Sequence, residues 1–137
     1  MKKIIGVGLL AGVLMLITGM LTGQVFHFFI PSLKEEYLNP NLFRPWSDPI
    51  MSLYFLHPFI VGVIFAWIWN RTKQLFPGNT VREKGLRFGL IYWMISIPGM
   101  LISYSSFPVS LLLTFSWSIS NLVQGICAGL LFSKMLK

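Results

Sequence analysis

The sequence is short of charge, of acidic residues and of cysteine. Charged residues make up 11% of the 137 positions, and only four of them are Asp or Glu. That is too little charge to solvate the surface of a soluble domain of this size. The single cysteine, Cys127, excludes an intrachain disulfide and leaves no thiol pair for redox chemistry. These shortages argue against a soluble domain and against a thiol oxidoreductase.

What the sequence does contain is apolar length. A span needs about 20 apolar residues to cross roughly 30 Å of hydrocarbon, and four stretches meet this length: 4–30, 50–70, 86–105 and 108–133. We predict an all-α polytopic membrane protein, a four-transmembrane-helix bundle that forms one domain over 1–137. The first stretch follows Lys2 and Lys3, as in a signal peptide. However, it continues to Pro31 without a small-residue cleavage site, which favours a retained span.

Asp, Glu, Lys and Arg are missing from the middle of every predicted span. Proton-coupled antiporters and ion pumps need a buried ionisable group that exchanges protons or pairs with a cation. The absence argues against a four-helix multidrug antiporter, despite the similar length and topology. A paired-aspartate signal-peptidase signature and a phosphatase-type His/Arg constellation are also missing. We therefore predict no catalytic set and no cofactor.

The basic residues are distributed unevenly around the four spans. Nine of the eleven Lys and Arg residues fall on one side, in both termini and the central connection: Lys2, Lys3, Arg71, Lys73, Arg82, Lys84, Arg87, Lys134 and Lys137. The other side has Lys34 and Arg44 with three of the four carboxylates. Because basic loops resist translocation, this asymmetry predicts both termini in the cytoplasm. The Met-Lys-Lys start and compact loops suggest a prokaryotic cytoplasmic (inner) membrane.

Local signals predict where the helices begin and bend. Three pairs match helix starts: Ser32 with Glu35, Asp48 with Pro49, and Thr80 with Glu83. The first pair would start a short helix within a structured outer loop, with Leu33 and Tyr37 on the membrane surface. Pro58 and Pro98 predict bends in the second and third spans.

Small residues recur at intervals of four in every span. Those we expect at helix contacts include Gly19 and Gly23 in the first span and Gly125 and Gly129 in the last. Because lipid tails are as apolar as leucine, helices in a membrane associate through close backbone approach at such residues. The pattern predicts a compact bundle, but it does not separate packing within one chain from packing between subunits.

Polar side chains inside the bilayer lie mainly on the last span. Ser118, Asn121 and Gln124 fall within one arc of about 140°, together with several small residues. A structural interpretation is an interhelical hydrogen bond worth ~0.6–2 kcal/mol. A functional interpretation is a polar lining for a pore or a small-molecule cavity.

A second candidate site lies at the outer interface. His27 and His57 have comparable predicted depths, and the outer loop adds Glu36, Arg44 and Trp46. Two imidazoles and a carboxylate could bind a transition metal or act as an acid/base pair. However, the histidines lack ligand-type spacing, and His27 lies in an interfacial aromatic run where a histidine needs no special explanation.

Three functions remain open. The first is a non-catalytic membrane subunit or a homo-oligomeric bundle. The second is a passive channel or facilitator for a small solute, lined by the polar face of the last span. The third is a membrane enzyme or metal site that uses His27 and His57. The expected partners are the lipid bilayer, a second copy or another membrane protein, and anionic lipid head groups at the basic inner loop. The net charge of +7 is explained by topology, so we expect no nucleic-acid partner.

Overall fold

The computed structural model describes all residues, 1–137, and contains helices and turns but no strand. The helices are α1 (Lys2–Phe29), α2 (Pro31–Tyr37), α3 (Ser52–Thr72), α4 (Val81–Ser106) and α5 (Leu111–Met135), and a 3-10 turn (Pro49–Met51) leads into α3. Four of them, α1, α3 with its preceding turn, α4 and α5, are long and apolar enough to cross a membrane. The predicted all-helical class and the four membrane-length segments are confirmed.

Two of the three predicted helix starts are confirmed. The Asp48 carboxylate accepts a hydrogen bond from the Ile50 N–H at 2.9 Å. The Thr80 hydroxyl accepts from the Glu83 N–H at 3.1 Å, and the Glu83 carboxylate accepts in return from the Thr80 N–H. Both pairs satisfy amides that the first helical turn leaves free.

The third start, the Ser32–Glu35 capping box, is wrong. Helix α2 begins at Pro31, with Ile30 in the cap position, so Ser32 lies inside the helix. Proline is favoured at the first helical position because its fixed φ suits the helix and its missing N–H would be unpaired there. The proline therefore starts the helix before Ser32 can cap it.

Close glycine contacts join the membrane-length helices in pairs. Helix α1 packs on α3 where Gly8 and Gly12 meet Gly62, and α4 packs on α5 where Gly85 and Gly89 meet Gly125 and Gly129. A Cβ added at Gly12 would lie 2.7 Å from the Phe59 Cα, and one at Gly89 would lie 2.6 Å from the Ile126 Cα. These backbones are thus too close for any larger residue. Helix α1 also packs on α5, which connects the two pairs.

Two apolar clusters lie at opposite ends of the helices. The terminal core fills the end that carries both termini and the turn at 73–80. Its buried members are Val7, Ala11, Met15, Ala66, Trp69, Phe88, Ala128, Phe132 and Leu136. The cap cluster lies at the other end and consists of Leu33, Val109 and Leu113 with surrounding aromatic residues. Between the clusters lies the polar part of α5.

Candidate functional site

The three predicted side chains on the polar face of α5 differ in their hydrogen-bond partners. The Ser118 hydroxyl accepts a hydrogen bond from the Trp93 indole N–H of α4 at 2.9 Å. The Gln124 amide donates to the Ser120 hydroxyl at 2.9 Å, within the same helix. Asn121, between them, is half-buried and makes no side-chain hydrogen bond. Two of the three predicted residues thus have partners within the chain.

Asn121 faces the interior between α1 and α4. At 100° per residue, it lies about 60° around α5 from Gln124 and about 40° from Gly125. Gln124 packs against Gly19 of α1, whereas Gly125 packs against Gly89 and Tyr92 of α4. Asn121 therefore lies on the part of α5 between the face that meets α1 and the face that meets α4.

The polar layer does not continue toward the terminal end. About two and three turns beyond Asn121 along α5, Ala128 and Phe132 belong to the terminal core and are 1% and 0% exposed. Phe132 contacts Phe88, which in turn contacts Trp69, with ring centroids 5.8 and 5.4 Å apart. This packed aromatic layer separates Asn121 from the terminal end of the molecule.

The loop between α1 and α3 folds over the opposite end. The two carboxylate oxygens of Glu36 accept from the Ser110 N–H at 2.6 Å and from its hydroxyl at 2.7 Å. Ser110 caps α5 by accepting from the Leu113 N–H, so Glu36 places a negative charge at the start of that helix. The carboxylate is thus an anchor that ties the loop to α5.

Aromatic residues complete this cap. The Trp117 indole N–H donates to the Tyr37 hydroxyl, and Tyr37 stacks on Phe43. Burial raises the pKa of Tyr37, which keeps the phenol neutral. Leu33, predicted on the membrane surface together with Tyr37, is instead 1% exposed within the cap cluster. The prediction failed for Leu33 and Tyr37 because α2 turns both side chains onto the helix ends.

The side chains of the predicted histidine site have separate partners. His27 packs edge-on against Tyr37 at 5.1 Å between ring centroids, with its Nε2 atom buried and unpaired, whereas His57 is exposed. Arg44 pairs with Asp48 at 2.9 Å, and Trp46 packs on Tyr54 and Phe55. The chain contains no group of three His, Cys, Asp or Glu side chains placed to hold a metal ion. The structure does not assemble these residues into one site.

The four predicted packing glycines also differ in their surroundings. Gly125 and Gly129 contact α4, and Gly19 contacts the Gln124 side chain, where an added Cβ would lie 2.9 Å from Nε2. Gly23 contacts no other helix, because a Cβ there would meet nothing within 4 Å. Gly6 and Gly99 have the same free space.

At the terminal end, side chains of α3 and the following turn bind the carbonyl groups that follow α5, a contact that no sequence pattern indicated. The Lys73 ammonium donates to the carbonyl oxygens of Leu136 and Lys137 at 3.1 and 2.6 Å, and the Trp69 indole N–H donates to Leu136 at 3.2 Å. Both side chains thereby satisfy carbonyls beyond the last turn of α5 and tie that helix to α3.

Comparisons with known proteins identify no relative of this chain. No protein-family model matches the chain, and neither the curated proteins nor the solved structures include a match.

Proposed function

We propose that the chain is a non-catalytic integral membrane protein that acts as a subunit of a membrane assembly. It forms a four-helix bundle with both termini in the cytoplasm, in a prokaryotic cytoplasmic membrane. Its partner is a second copy of the chain or another membrane protein.

The observation that supports this proposal is that some helical glycines contact another helix of the chain and others contact none. Eight of them meet another helix of the same chain, whereas Gly6, Gly23 and Gly99 lie in helices with free space around them. A glycine inside a helix costs about 1 kcal/mol relative to alanine. It offsets this cost when a second helix packs closely against it. The open glycines are therefore the places where another chain would gain from contact.

The test replaces an open glycine with a bulky residue and measures the size of the assembly. We expect Gly23→Leu or Gly99→Leu to reduce the mass of the complex extracted in mild detergent, measured by native mass spectrometry. Thermal unfolding of the chain should not shift to a lower temperature, because a Cβ at either position meets nothing within it. Met20→Leu is the matched control, since Met20 is 49% exposed on the same helix as Gly23. A single chain extracted from wild type, or the same complex in both glycine variants, would contradict the proposal.

A second candidate function is passive movement or binding of a small polar solute at Asn121. The observation in its favour is the unpaired, half-buried carboxamide, because an amide in hydrocarbon needs a protein, water or solute partner. Passage across the whole membrane would require the terminal core to open, so we rank this function second. Asn121→Leu should abolish solute uptake into proteoliposomes while Ser120→Ala retains it. Equal uptake in wild type and Asn121→Leu would exclude this function.

A further inference from the structure

A groove of about 590 Å³ runs between α3 and α4 next to the terminal end. Its wall is mainly aliphatic and aromatic, and the residues that matter here are Phe65 and Ile68 of α3 with Phe88, Ile91, Tyr92 and Ile95 of α4. Arg87 and Thr72 lie in the same wall. The groove thus combines a long apolar floor with a cationic group.

The apolar part of the groove is long enough to hold part of a hydrocarbon chain. Along α4, the lining residues Arg87, Ile91, Tyr92 and Ile95 share one face over about 12 Å at 1.5 Å per residue. Because α3 and α4 are both long enough to span a membrane, we expect this face to meet hydrocarbon. An acyl chain is the occupant that such a floor accepts without leaving a polar group unpaired.

The basic residues beside the groove favour an occupant with an anionic head group. Arg87 is exposed and forms no ion pair within 4 Å, and Arg82 and Lys84 lie on the same turns of α4. The one carboxylate there, Glu83, is used on the Asn79 and Thr80 amides. A second copy in the same orientation would place its own basic end against Arg87. Repulsion between the like charges therefore disfavours a second copy as the occupant of the groove.

We propose that this groove binds one anionic phospholipid, with an acyl chain along Phe65, Tyr92 and Ile95 and the phosphate on the Arg87 guanidinium. A guanidinium presents paired N–H donors that match two phosphate oxygens. The site is independent of whether the chain acts as a subunit, since its wall comes from α3 and α4 of one chain.

The first test measures head-group selectivity on the full-length protein in mild detergent. Delipidated protein is titrated with phosphatidylglycerol or phosphatidylcholine, and bound lipid is counted by native mass spectrometry. We expect one phosphatidylglycerol to be retained in preference to phosphatidylcholine. Arg87→Gln should weaken its binding about fivefold, which corresponds to one basic contact at a membrane surface. Arg82→Gln, on the same helix but outside the groove wall, should leave it unchanged.

The second test fills the groove. Ile95→Trp should prevent retention of the lipid, whereas Met94→Trp should not, because Ile95 lines the groove and Met94 does not. Equal retention of both lipids, or equal weakening by Arg82→Gln and Arg87→Gln, would overturn the proposal in favour of diffuse attraction to the basic end. A dimer that disappears in Ile95→Trp while phosphatidylglycerol binding persists would assign the groove to a second copy instead.

Discussion

At the scale of single residues, Glu36 ties the loop between α1 and α3 to the start of α5. Its carboxylate accepts two hydrogen bonds from Ser110, one of them from a backbone N–H at the start of the helix. Glu36→Gln removes the charge that favours both bonds, at a cost of about 1 kcal/mol. We expect amides between Leu33 and Phe43 to exchange about fivefold faster in hydrogen-exchange mass spectrometry.

Glu35→Gln is the matched control for this change. Glu35 is exposed, and its side chain makes no hydrogen bond, so the neighbouring substitution removes the same charge from the loop without removing the anchor. Equal acceleration in the two variants would mean that loop charge, and not the Ser110 contact, protects the cap.

Asp48 makes the start of α3 dependent on pH. The Ile50 N–H, followed by the Arg44 side chain, lowers the pKa of Asp48 from its ordinary value of 3.8. Because the folded pKa is lower than the unfolded one, the ionised cap stabilises the helix start above about pH 4 and is lost as the pH falls through the lowered pKa. The Ile50 amide chemical shift should titrate with a midpoint below 3.8 and should not titrate in Asp48→Asn.

Arg44→Gln separates the two causes of this lowered pKa. It should raise the midpoint while keeping it below the ordinary value, because the larger contribution, from the Ile50 N–H, remains. A wild-type midpoint at or above 3.8 would show that the cap does not form in solution.

At the scale of helices, the glycines separate close packing from open surface. A Cβ at Gly129 would overlap the Gly85 backbone, so Gly129→Ala must push α4 and α5 apart at a cost of about 1–3 kcal/mol. Gly23→Ala meets nothing and should stabilise α1 by up to about 1 kcal/mol through helix propensity. Thermal unfolding can be followed by maleimide access to the single cysteine, half-buried Cys127 on α5. An unchanged midpoint for Gly129→Ala would contradict this close packing.

The same scale shows which features are readable from sequence. The Asp48 and Thr80 caps were predictable because the donor and acceptor lie within four residues of each other. The contacts that build the candidate sites join residues far apart in the chain, such as Tyr37 with Trp117 and Lys73 with Leu136. Such contacts depend on which helices meet and at what register, and the repeated small residues do not specify either. The sequence therefore could not predict that Gly19 contacts another helix whereas Gly23 contacts none.

At the scale of the whole molecule, the helix contacts place both termini and the turn at 73–80 at one end, with residues 30–48 at the other. Nine of the eleven basic residues belong to the first end. Because translocating a basic segment is unfavourable, we expect that end to remain in the cytoplasm. The prediction can be tested with Ser47→Cys and Gln74→Cys, each made in a Cys127→Ser background, since both positions are exposed and lie at opposite ends.

A membrane-impermeant maleimide applied to intact cells should label the Ser47→Cys protein and spare the Gln74→Cys protein until the cells are lysed. The opposite result would place the basic end outside, and the groove near Arg87 would then face the other leaflet. Partial labelling of both variants would indicate a mixture of orientations. In that case, removing the two basic residues of the loop end should change the proportion of the two orientations. Lys34→Glu with Arg44→Glu should increase labelling at position 47. Orientation and lipid selectivity thus depend on the same set of charges, and this labelling experiment determines which leaflet must supply the anionic lipid.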